Sequence, residues 1–361
     1  MKNFFLDRVV IVDLSRGSAD FLPLPVPAKQ NGDLACLAAE YDDALVLTVG
    51  RFTGSYAPAS CLLTVRSGDR NCYLKGQCGA ALRRCGIDAL VLRGMAVRSS
   101  GLILSELGVQ FLDVDATADT FMQRTAMRRE VFQCGNGDND PVTFVTGPAA
   151  FADCAAPALV SDYGIAPRST LAARWLAAHN LVGLCLNGSV PYISPLPLDN
   201  AARTVVQPTL LTSAGLDAVL QVVRPGVRSS ELAVGRSIAC HACPTPCQFW
   251  SPTPEGHVAV TSPEALSLLV ERGASATQIA ALLLLAERCG IEPLGLVEYA
   301  TATLPTDATA IGLVQSVQDV EPDAADALGT ILGVCPLFLR RFPVAQEALE
   351  RLAAGAVDGV Q

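Results

Sequence analysis

Charged and aromatic side chains are scarce in this sequence, and it has no long apolar run. Charged residues make up 17% of the 361 positions and aromatic residues 6%, whereas 50% are apolar. A chain so rich in apolar residues and so poor in charge is a globular protein and not a disordered one. The longest apolar run, Ile279 to Ala286, has eight residues, and a membrane helix needs about 20. We therefore expect a buried helix there and no membrane association.

Positive charge is in short supply as well. The chain has 26 Lys and Arg against 35 Asp and Glu, a formal net charge of −9. An acidic protein repels phosphate backbones, so we expect no nucleic-acid partner. The N-terminal segment has a short apolar run that Asp7, Arg8 and Asp13 interrupt. This pattern does not predict a signal peptide, and we expect a cytoplasmic protein.

Cysteine, in contrast, is abundant. The 13 cysteines are odd in number, and without a secretion signal this argues against a disulfide framework. Most of them are expected to be small buried residues, because a free thiol packs like a small apolar side chain. That group includes Cys36, Cys61, Cys85, Cys154 and Cys185.

The pattern of apolar residues changes along the chain and predicts an α+β fold. Short β-branched runs bounded by turn residues predict strands at 9–12, 44–49, 89–92, 101–104 and 142–146, with a helix at 119–131. After about residue 210 helical periodicity dominates, at 216–223, 263–273, 276–289 and 344–354. Ser275 is placed to cap the third of these helices. We therefore predict a β-rich domain over residues 1–200 and a helical domain over residues 201–361.

One group of cysteines has the spacing of a metal site. Cys240, Cys243 and Cys247 form a C-x2-C-x3-C segment, and Cys335 precedes a proline farther along the chain. An iron–sulfur cluster needs several converging thiolates, which a short loop and one distant cysteine commonly supply. The spacing therefore favours a [4Fe-4S] cluster bound by these four residues.

Other interpretations of the same segment stay open on spacing alone. Zinc could be bound by the three clustered cysteines together with His241 or His257. A redox-active dithiol at Cys240 and Cys243 is a second possibility, although no βαβ pattern surrounds it. Chance spacing in a cysteine-rich chain is the third.

Several segments, in order along the chain, resemble one family. They are RVVIVDLSRG at 8–17, VGRFTGSYAP at 49–58, GAALRRCGID at 79–88, TGPA at 146–149, ACHACPTPC at 239–247, CGIE at 289–292 and LGVC at 332–335. Together they resemble the aldehyde ferredoxin oxidoreductase family, whose members are tungsten- or molybdenum-pterin enzymes with a nearby [4Fe-4S] cluster. The resemblance implies two sheets in the first domain, a homodimer and a ferredoxin-like redox partner.

The resemblance also implies roles for particular residues. It assigns the cluster ligands to Cys240, Cys243, Cys247 and Cys335. It places Arg168, Gly76 and Gly79 at positions that contact the pterin cofactor in the family. Glu264 matches a glutamate near the family's substrate pocket and is the only catalytic candidate. A carboxylate in the first turn of a helix is the simpler interpretation of Glu264.

Departures from the family concentrate on the pterin side. The family's pterin-contacting arginine falls near Ser60 and Cys61, and the family's glycine-rich stretch, here 167–178, retains Arg168 but no glycine. Close approach of backbone amides to a phosphate favours glycine. Glu287 and Thr330 replace two family aspartates, and only 42 residues separate Glu292 from Cys335, which shortens the family's third domain.

These observations predict a shortened aldehyde ferredoxin oxidoreductase-like redox protein that transfers electrons through one [4Fe-4S] cluster. Whether it is an oxidoreductase by itself is left open. One alternative is a compact tungsten- or molybdenum-pterin aldehyde oxidoreductase, and another is a cofactor-free structural subunit or pseudoenzyme. Phe249 and Trp250, just after the cysteine segment, belong either to a docking surface for the redox partner or to the core.

Overall fold

A computed structural model describes part of the chain. The described residues are 7–25, 37, 40–41, 43–55, 57, 59–133, 140–152, 154–162, 164–165, 169–191, 236–243, 248–253, 256–260, 268–269, 272–299, 331–335, 339, 346–347 and 349–350. For 236–238, 248–253, 256–260, 276 and 297–299 it describes the backbone alone.

The first sheet has six strands in the order β2-β1-β6-β3-β4-β5. Its strands are β1 (Val9–Asp13), β2 (Ser18–Leu22), β3 (Leu45–Val49), β4 (Leu63–Ser67), β5 (Arg70–Leu74) and β6 (Ala89–Arg93). β1 and β6 run parallel, and the other neighbours are antiparallel. The central strand β3 is buried along its whole length, as its continuous apolar run predicts for a strand covered on both faces.

The second sheet also has six strands, in the order β11-β10-β9-β12-β7-β8. They are β7 (Ser100–Ser105), β8 (Gly108–Asp113), β9 (Val142–Val145), β10 (Val160–Ser161), β11 (Gly164–Ile165) and β12 (Leu181–Leu186). β12 runs parallel to β7 and antiparallel to β9. The five strands predicted from β-branched runs are β1, β3, β6, β7 and β9, so the β-rich first part of the chain is confirmed.

Helices pack between and beside the two sheets. They are α1 (Cys78–Arg84), α2 (Thr120–Gln133), α3 (Thr170–Ala178), α4 (Ala276–Cys289) and α5 (Pro293–Tyr299), with a 3₁₀ turn at Pro148–Phe151. α1 contacts β3 of the first sheet and β9 and β12 of the second, and α3 contacts β4, β5 and β12. Both helices therefore lie between the sheets, and one apolar core includes residues of both sheets and both helices.

The helix predicted at 276–289 is α4, and its caps explain its limits. The Ser275 hydroxyl accepts a hydrogen bond from the Gln278 amide and the Gln278 side chain reaches back to the Ser275 backbone, which is a capping box. Gly290 ends the helix at φ 68°, the left-handed conformation that favours glycine at this position. No helix in the described part of the chain is long and apolar enough to span a membrane.

The second half of the chain contains strands that helical periodicity did not predict. β13 (Arg236–Ile238), β14 (Gln248–Thr253) and β15 (Gly256–Val260) form an antiparallel sheet. The cysteine segment therefore connects two strands and not two helices. The strands are three to six residues long, and the prolines and cysteines around them conceal the alternation that marks a strand. The helices predicted at 216–223, 263–273 and 344–354 lie wholly or mostly outside the described residues, and the boundary near residue 200 stays a prediction.

A buried ion pair fixes one end of the first sheet. Nη1 of Arg83 lies 3.1 Å from Oδ1 of Asp88, and both side chains are fully buried. The other carboxylate oxygen of Asp88 accepts the Asp7 backbone amide at 2.7 Å, and Nη2 of Arg83 donates to the Gly50 carbonyl at 3.0 Å. The pair therefore joins α1, the start of β1 and the segment that follows β3.

Replacing Asp88 with Ala should destabilise the protein strongly. The substitution leaves the Arg83 guanidinium buried without its counter-charge, which costs about 3–5 kcal/mol in free energy of unfolding. Urea unfolding followed by fluorescence measures the change. The control is Asp113→Ala, which removes the exposed pair with Arg98 (77% and 66% of the side chains exposed) and should cost less than about 1 kcal/mol. Equal costs for the two variants would contradict a structural role for the Arg83–Asp88 pair.

Candidate functional site

Three segments that are far apart in the sequence meet at one end of the first sheet. They are the loop between β3 and β4, the segment with Cys240 and Cys243, and residues 331–335. The amides of Arg51 and Phe52 donate to the carbonyls of Ile331 and Leu332 at 3.0 and 2.8 Å. The Leu62 amide donates to the Gly333 carbonyl at 3.2 Å. The segment that carries Cys335 is thus attached by its backbone to both ends of the β3–β4 loop.

Ala59 connects this loop to both cysteine segments. Its amide donates to the Ala242 carbonyl at 2.9 Å, and its carbonyl accepts the Cys335 amide at 3.1 Å. The same carbonyl accepts the Cys61 amide at 2.8 Å. Ala59 has φ 57°, a left-handed conformation that residues other than glycine seldom adopt. This conformation directs one residue's two backbone groups toward two different loops.

Close glycine packing brings residues 331–335 against the first sheet. A Cβ atom on Gly50 would lie 2.1 Å from the Gly333 nitrogen. A Cβ atom on Gly333 would lie 2.0 Å from Oγ1 of Thr53, and Gly333 has φ 73°. The Thr53 hydroxyl in turn donates to the Leu62 carbonyl at 2.9 Å. Only glycine permits this approach, so the position of Cys335 depends on Gly50 and Gly333.

The structure brings together the segments of three of the four predicted cluster ligands. Cys240 and Cys335 are buried, and Cys243 is half-buried. The Gly76 amide donates to Sγ of Cys240 at 3.3 Å, and the Gly76 carbonyl accepts the His241 amide at 2.9 Å. Gly76, predicted from the resemblance as a pterin contact, here contacts the cysteine segment. Cys247 lies outside the described residues.

Cys61 is a fifth cysteine at this site, and the sequence predicted only a packing role for it. It is fully buried. Interaction with Cys240 and burial, together with the neighbouring Cys335 and Cys243, raise the pKa of Cys61. Interaction with Cys61, the Lys75 charge and the Gly76 amide outweigh burial and lower the pKa of Cys240. The one sequence signal for Cys61 was its place where the family has an arginine.

His241 supports the loop through its ring. Its Nε2 atom lies 3.1 Å from the Ser55 carbonyl oxygen, and burial lowers its pKa. Among the side chains that the structure describes, no three Cys, His, Asp or Glu residues are grouped closely enough to hold a metal ion. Cys247 and the side chain of His257 are not among them, so the four-cysteine cluster and the zinc alternative both stay predictions.

Of the other residues predicted at the pterin or substrate site, the structure describes Gly79, whereas Arg168 and Glu264 lie outside the described residues. Gly79 lies in α1, and a Cβ atom there would be 2.6 Å from the Leu62 carbonyl oxygen and 2.7 Å from Cγ2 of Thr53. The absence of a side chain at Gly79 therefore allows α1 to pack closely against the β3–β4 loop.

Glu287, which stands in place of a family aspartate, forms a buried ion pair. Its Oε1 lies 3.1 Å from Nη2 of Arg124, and the Thr120 hydroxyl donates to its backbone carbonyl at 2.7 Å. Close by, a Cβ atom on Gly147 would lie 2.7 Å from the Cys289 carbonyl oxygen. The segments TGPA and CGIE are therefore packed directly against one another.

Comparison with known proteins confirms both the resemblance and the fold class. Residues 29–188 match the family described as "Aldehyde ferredoxin oxidoreductase, N-terminal domain". Among solved structures, the chain is similar to "Active site complex BamBC of Benzoyl Coenzyme A reductase in complex with 1,5 Dienoyl-CoA", with a TM-score of 0.61, 12% identity and 98% of this chain covered. The chain spans 65% of that structure's length, and an identity this low shows the fold alone. No curated protein matches the chain.

Replacing Gly333 with Ala should disrupt this site. The left-handed backbone costs about 1–2 kcal/mol for a residue with a Cβ atom, and the overlap with Thr53 adds about 1–3 kcal/mol. We expect a lower free energy of unfolding in urea and faster alkylation of Cys335, measured by peptide mass mapping under native conditions.

Gly17→Ala is the matched control for this variant. Gly17 has φ 65° with nothing within 4 Å of its would-be Cβ atom, so this substitution introduces the backbone cost without the overlap. Gly333→Ala should cost more than the control, and it alone should expose Cys335. Equal alkylation rates of Cys335 in the two variants would show that the close packing does not hold residues 331–335.

Proposed function

We propose that the chain, whose residues 29–188 match the N-terminal domain of the aldehyde ferredoxin oxidoreductase family, is an iron–sulfur redox protein that transfers electrons through one [4Fe-4S] cluster. Cys240, Cys243, Cys247 and Cys335 would bind the cluster. The single observation that carries the proposal is the pair of backbone hydrogen bonds made by Ala59. One joins it to Ala242, which lies between Cys240 and Cys243 in the sequence, and the other joins it to Cys335.

The donor set of the described residues fits such a cluster chemically. Thiolates are the usual ligands of these clusters, and hydrogen bonds to their sulfurs help set the potential. Cys240 and Cys335 are buried, which limits access of water. Sγ of Cys240 accepts the Gly76 amide, an interaction that disperses charge on a ligating sulfur. When bound, the cluster would supply one-electron transfer.

The described residues support a pterin cofactor less well. At the family's arginine position, the Ser60 hydroxyl donates to the Ser55 carbonyl at 2.9 Å, and Cys61 is fully buried. The stretch that is glycine-rich in the family includes α3, whose Ala172 and Ala173 are in the apolar core. Glu287 is paired with Arg124. These side chains are engaged within the protein, which favours electron transfer over independent aldehyde oxidation.

A redox partner is part of this proposal. A cluster that only relays single electrons must exchange them with another protein, which we expect to be ferredoxin-like, and a homodimer and a cytoplasmic location are proposed with it. Phe249 and Trp250 lie in β14 directly after the cysteine loop. This position near the cluster suits a docking surface for that partner.

Anaerobically purified protein should be brown and should contain about four irons and four sulfides per chain. Cys240→Ser should lose most of both because it removes one ligand. Iron and sulfide analysis measures the loss. Cys85→Ser is the control, since the Cys85 thiol is buried and donates to the Leu104 carbonyl. Zinc without iron or sulfide in the unmodified protein would contradict the proposal, and protein free of any metal would favour the structural-subunit alternative.

The same preparation should lack stoichiometric tungsten and molybdenum. Elemental analysis together with a fluorescence assay for oxidised pterin measures this directly. With viologen dye and a panel of aldehydes, we expect the cluster to be reduced and reoxidised but no aldehyde-dependent turnover, because no metal–pterin centre accepts substrate electrons. Tungsten or molybdenum with robust turnover would establish the compact pterin enzyme in place of the electron-transfer protein.

A further inference from the structure

We propose that His241 is a positioning residue, whose ring holds Cys240 and Cys243 in place for the cluster before the cluster binds. The inference rests on the proposed function, since it assumes that these two cysteines bind iron. It gives the ring a hydrogen-bonding role within the protein, whereas the zinc alternative would use the ring as a ligand.

The acceptor of the ring is a carbonyl in a tightly bonded part of the β3–β4 loop. Nε2 of His241 lies 3.1 Å from the Ser55 carbonyl oxygen, and because a carbonyl oxygen only accepts, the ring nitrogen donates. The same oxygen accepts the Ser60 hydroxyl at 2.9 Å. The Ser55 amide donates to the Phe52 carbonyl at 2.9 Å, and the Ser55 hydroxyl accepts the Ala57 amide at 3.0 Å. This buried loop is therefore a fixed support for the ring.

The cysteine segment on the other side of this contact is a tight turn. The Cys243 amide donates to the Cys240 carbonyl at 3.0 Å, and Ala242 between them has φ 50°, a conformation that residues other than glycine seldom adopt. Backbone hydrogen bonds attach the turn to Gly76 and Ala59 at 2.9 Å each. The histidine ring adds a side-chain contact to these, which a substitution can remove without altering the backbone.

The turn and the segment of Cys335 are attached to the same loop. The Cys335 amide donates to the Ala59 carbonyl, and the His241 ring donates to Ser55 four residues earlier. The β3–β4 loop therefore sets the separation of the two segments. A ring that fixes the turn removes conformational freedom in advance, which cluster binding would otherwise have to restrict. Loss of the ring's donor should loosen Cys240 and weaken the retention of iron.

The experiment compares His241→Leu and His241→Gln in the full chain. Leu retains much of the bulk of the ring but has no donor, whereas Gln places an N–H group at a similar reach. In metal-free protein, peptide mass mapping follows the alkylation of Cys240 by N-ethylmaleimide. In anaerobically purified protein, absorption follows the loss of iron to excess chelator. His241→Leu should accelerate both processes about fivefold, the factor expected for one lost hydrogen bond, and His241→Gln should restore most of the original rates.

Two controls separate positioning from a general loss of stability. Cys85 is buried and its thiol donates to the Leu104 carbonyl, so it should be alkylated at the same rate in every variant. His179→Leu removes a similar contact, since Nδ1 of His179 lies beside the Gly94 carbonyl oxygen, and the described contacts of His179 do not include the cysteine segments. This variant should change neither the alkylation of Cys240 nor the loss of iron.

Three outcomes would overturn the inference. The first is unchanged rates in His241→Leu. The second is equal rates in His241→Leu and His241→Gln, which would show that the ring acts as a ligand or through its shape and not as a donor. The third is an equal acceleration at Cys85, which would indicate general destabilisation. Absence of iron from the unmodified protein would refute the proposed function, and the alkylation rates would still decide whether His241 positions Cys240.

Discussion

The left-handed backbone of Ala59 is the constraint on which the candidate site depends. Ala59 has φ 57°, and in this conformation its amide donates to Ala242 while its carbonyl accepts from Cys335. That conformation costs about 1–2 kcal/mol for a residue with a Cβ atom. The two hydrogen bonds of Ala59 offset this cost. They join segments that are more than 180 residues apart in the sequence, which local structure could not bring together.

The surrounding fold supports this junction in successive layers. Glycine packing between Gly50 and Gly333 sets the distance of the Cys335 segment from the first sheet. The Gly50 carbonyl is itself held by Arg83, which is fully buried because Asp88 neutralises it. Asp88 in turn accepts backbone amides at the start of β1. A series of contacts therefore runs from one end of the sheet, through a helix, to the segment that carries Cys335.

The sequence predicted those parts of this arrangement that are local. β-Branched runs identified β1, β3, β6, β7 and β9, and the Ser275 cap identified α4, because these signals lie within a few residues of each other. The short strands β13 to β15 were missed, since their alternation is too brief to detect. The position of Cys61 beside the cysteine segments was missed for a different reason: tertiary packing brings it there, and the sequence around it shows only a small apolar residue. The resemblance to the family predicted that the cysteine segments converge, but it assigned Gly76 to the pterin and not to the cysteine segment.

The cysteine segments and the segments TGPA and CGIE are held in place by separate sets of interactions. The cysteine segments are fixed by the β3–β4 loop, Gly76 and residues 331–335. The segments TGPA and CGIE are fixed by α2 and α4, through the ion pair of Arg124 with Glu287 and the contact of Gly147 with Cys289. None of these polar contacts is shared with the cysteine segments among the described residues. Glu287, one methylene longer than the aspartate it replaces, forms a buried ion pair with Arg124, and breaking such a pair is costly. A substitution in this second region would therefore leave in place the backbone hydrogen bonds that join Ala59 to Ala242 and Cys335.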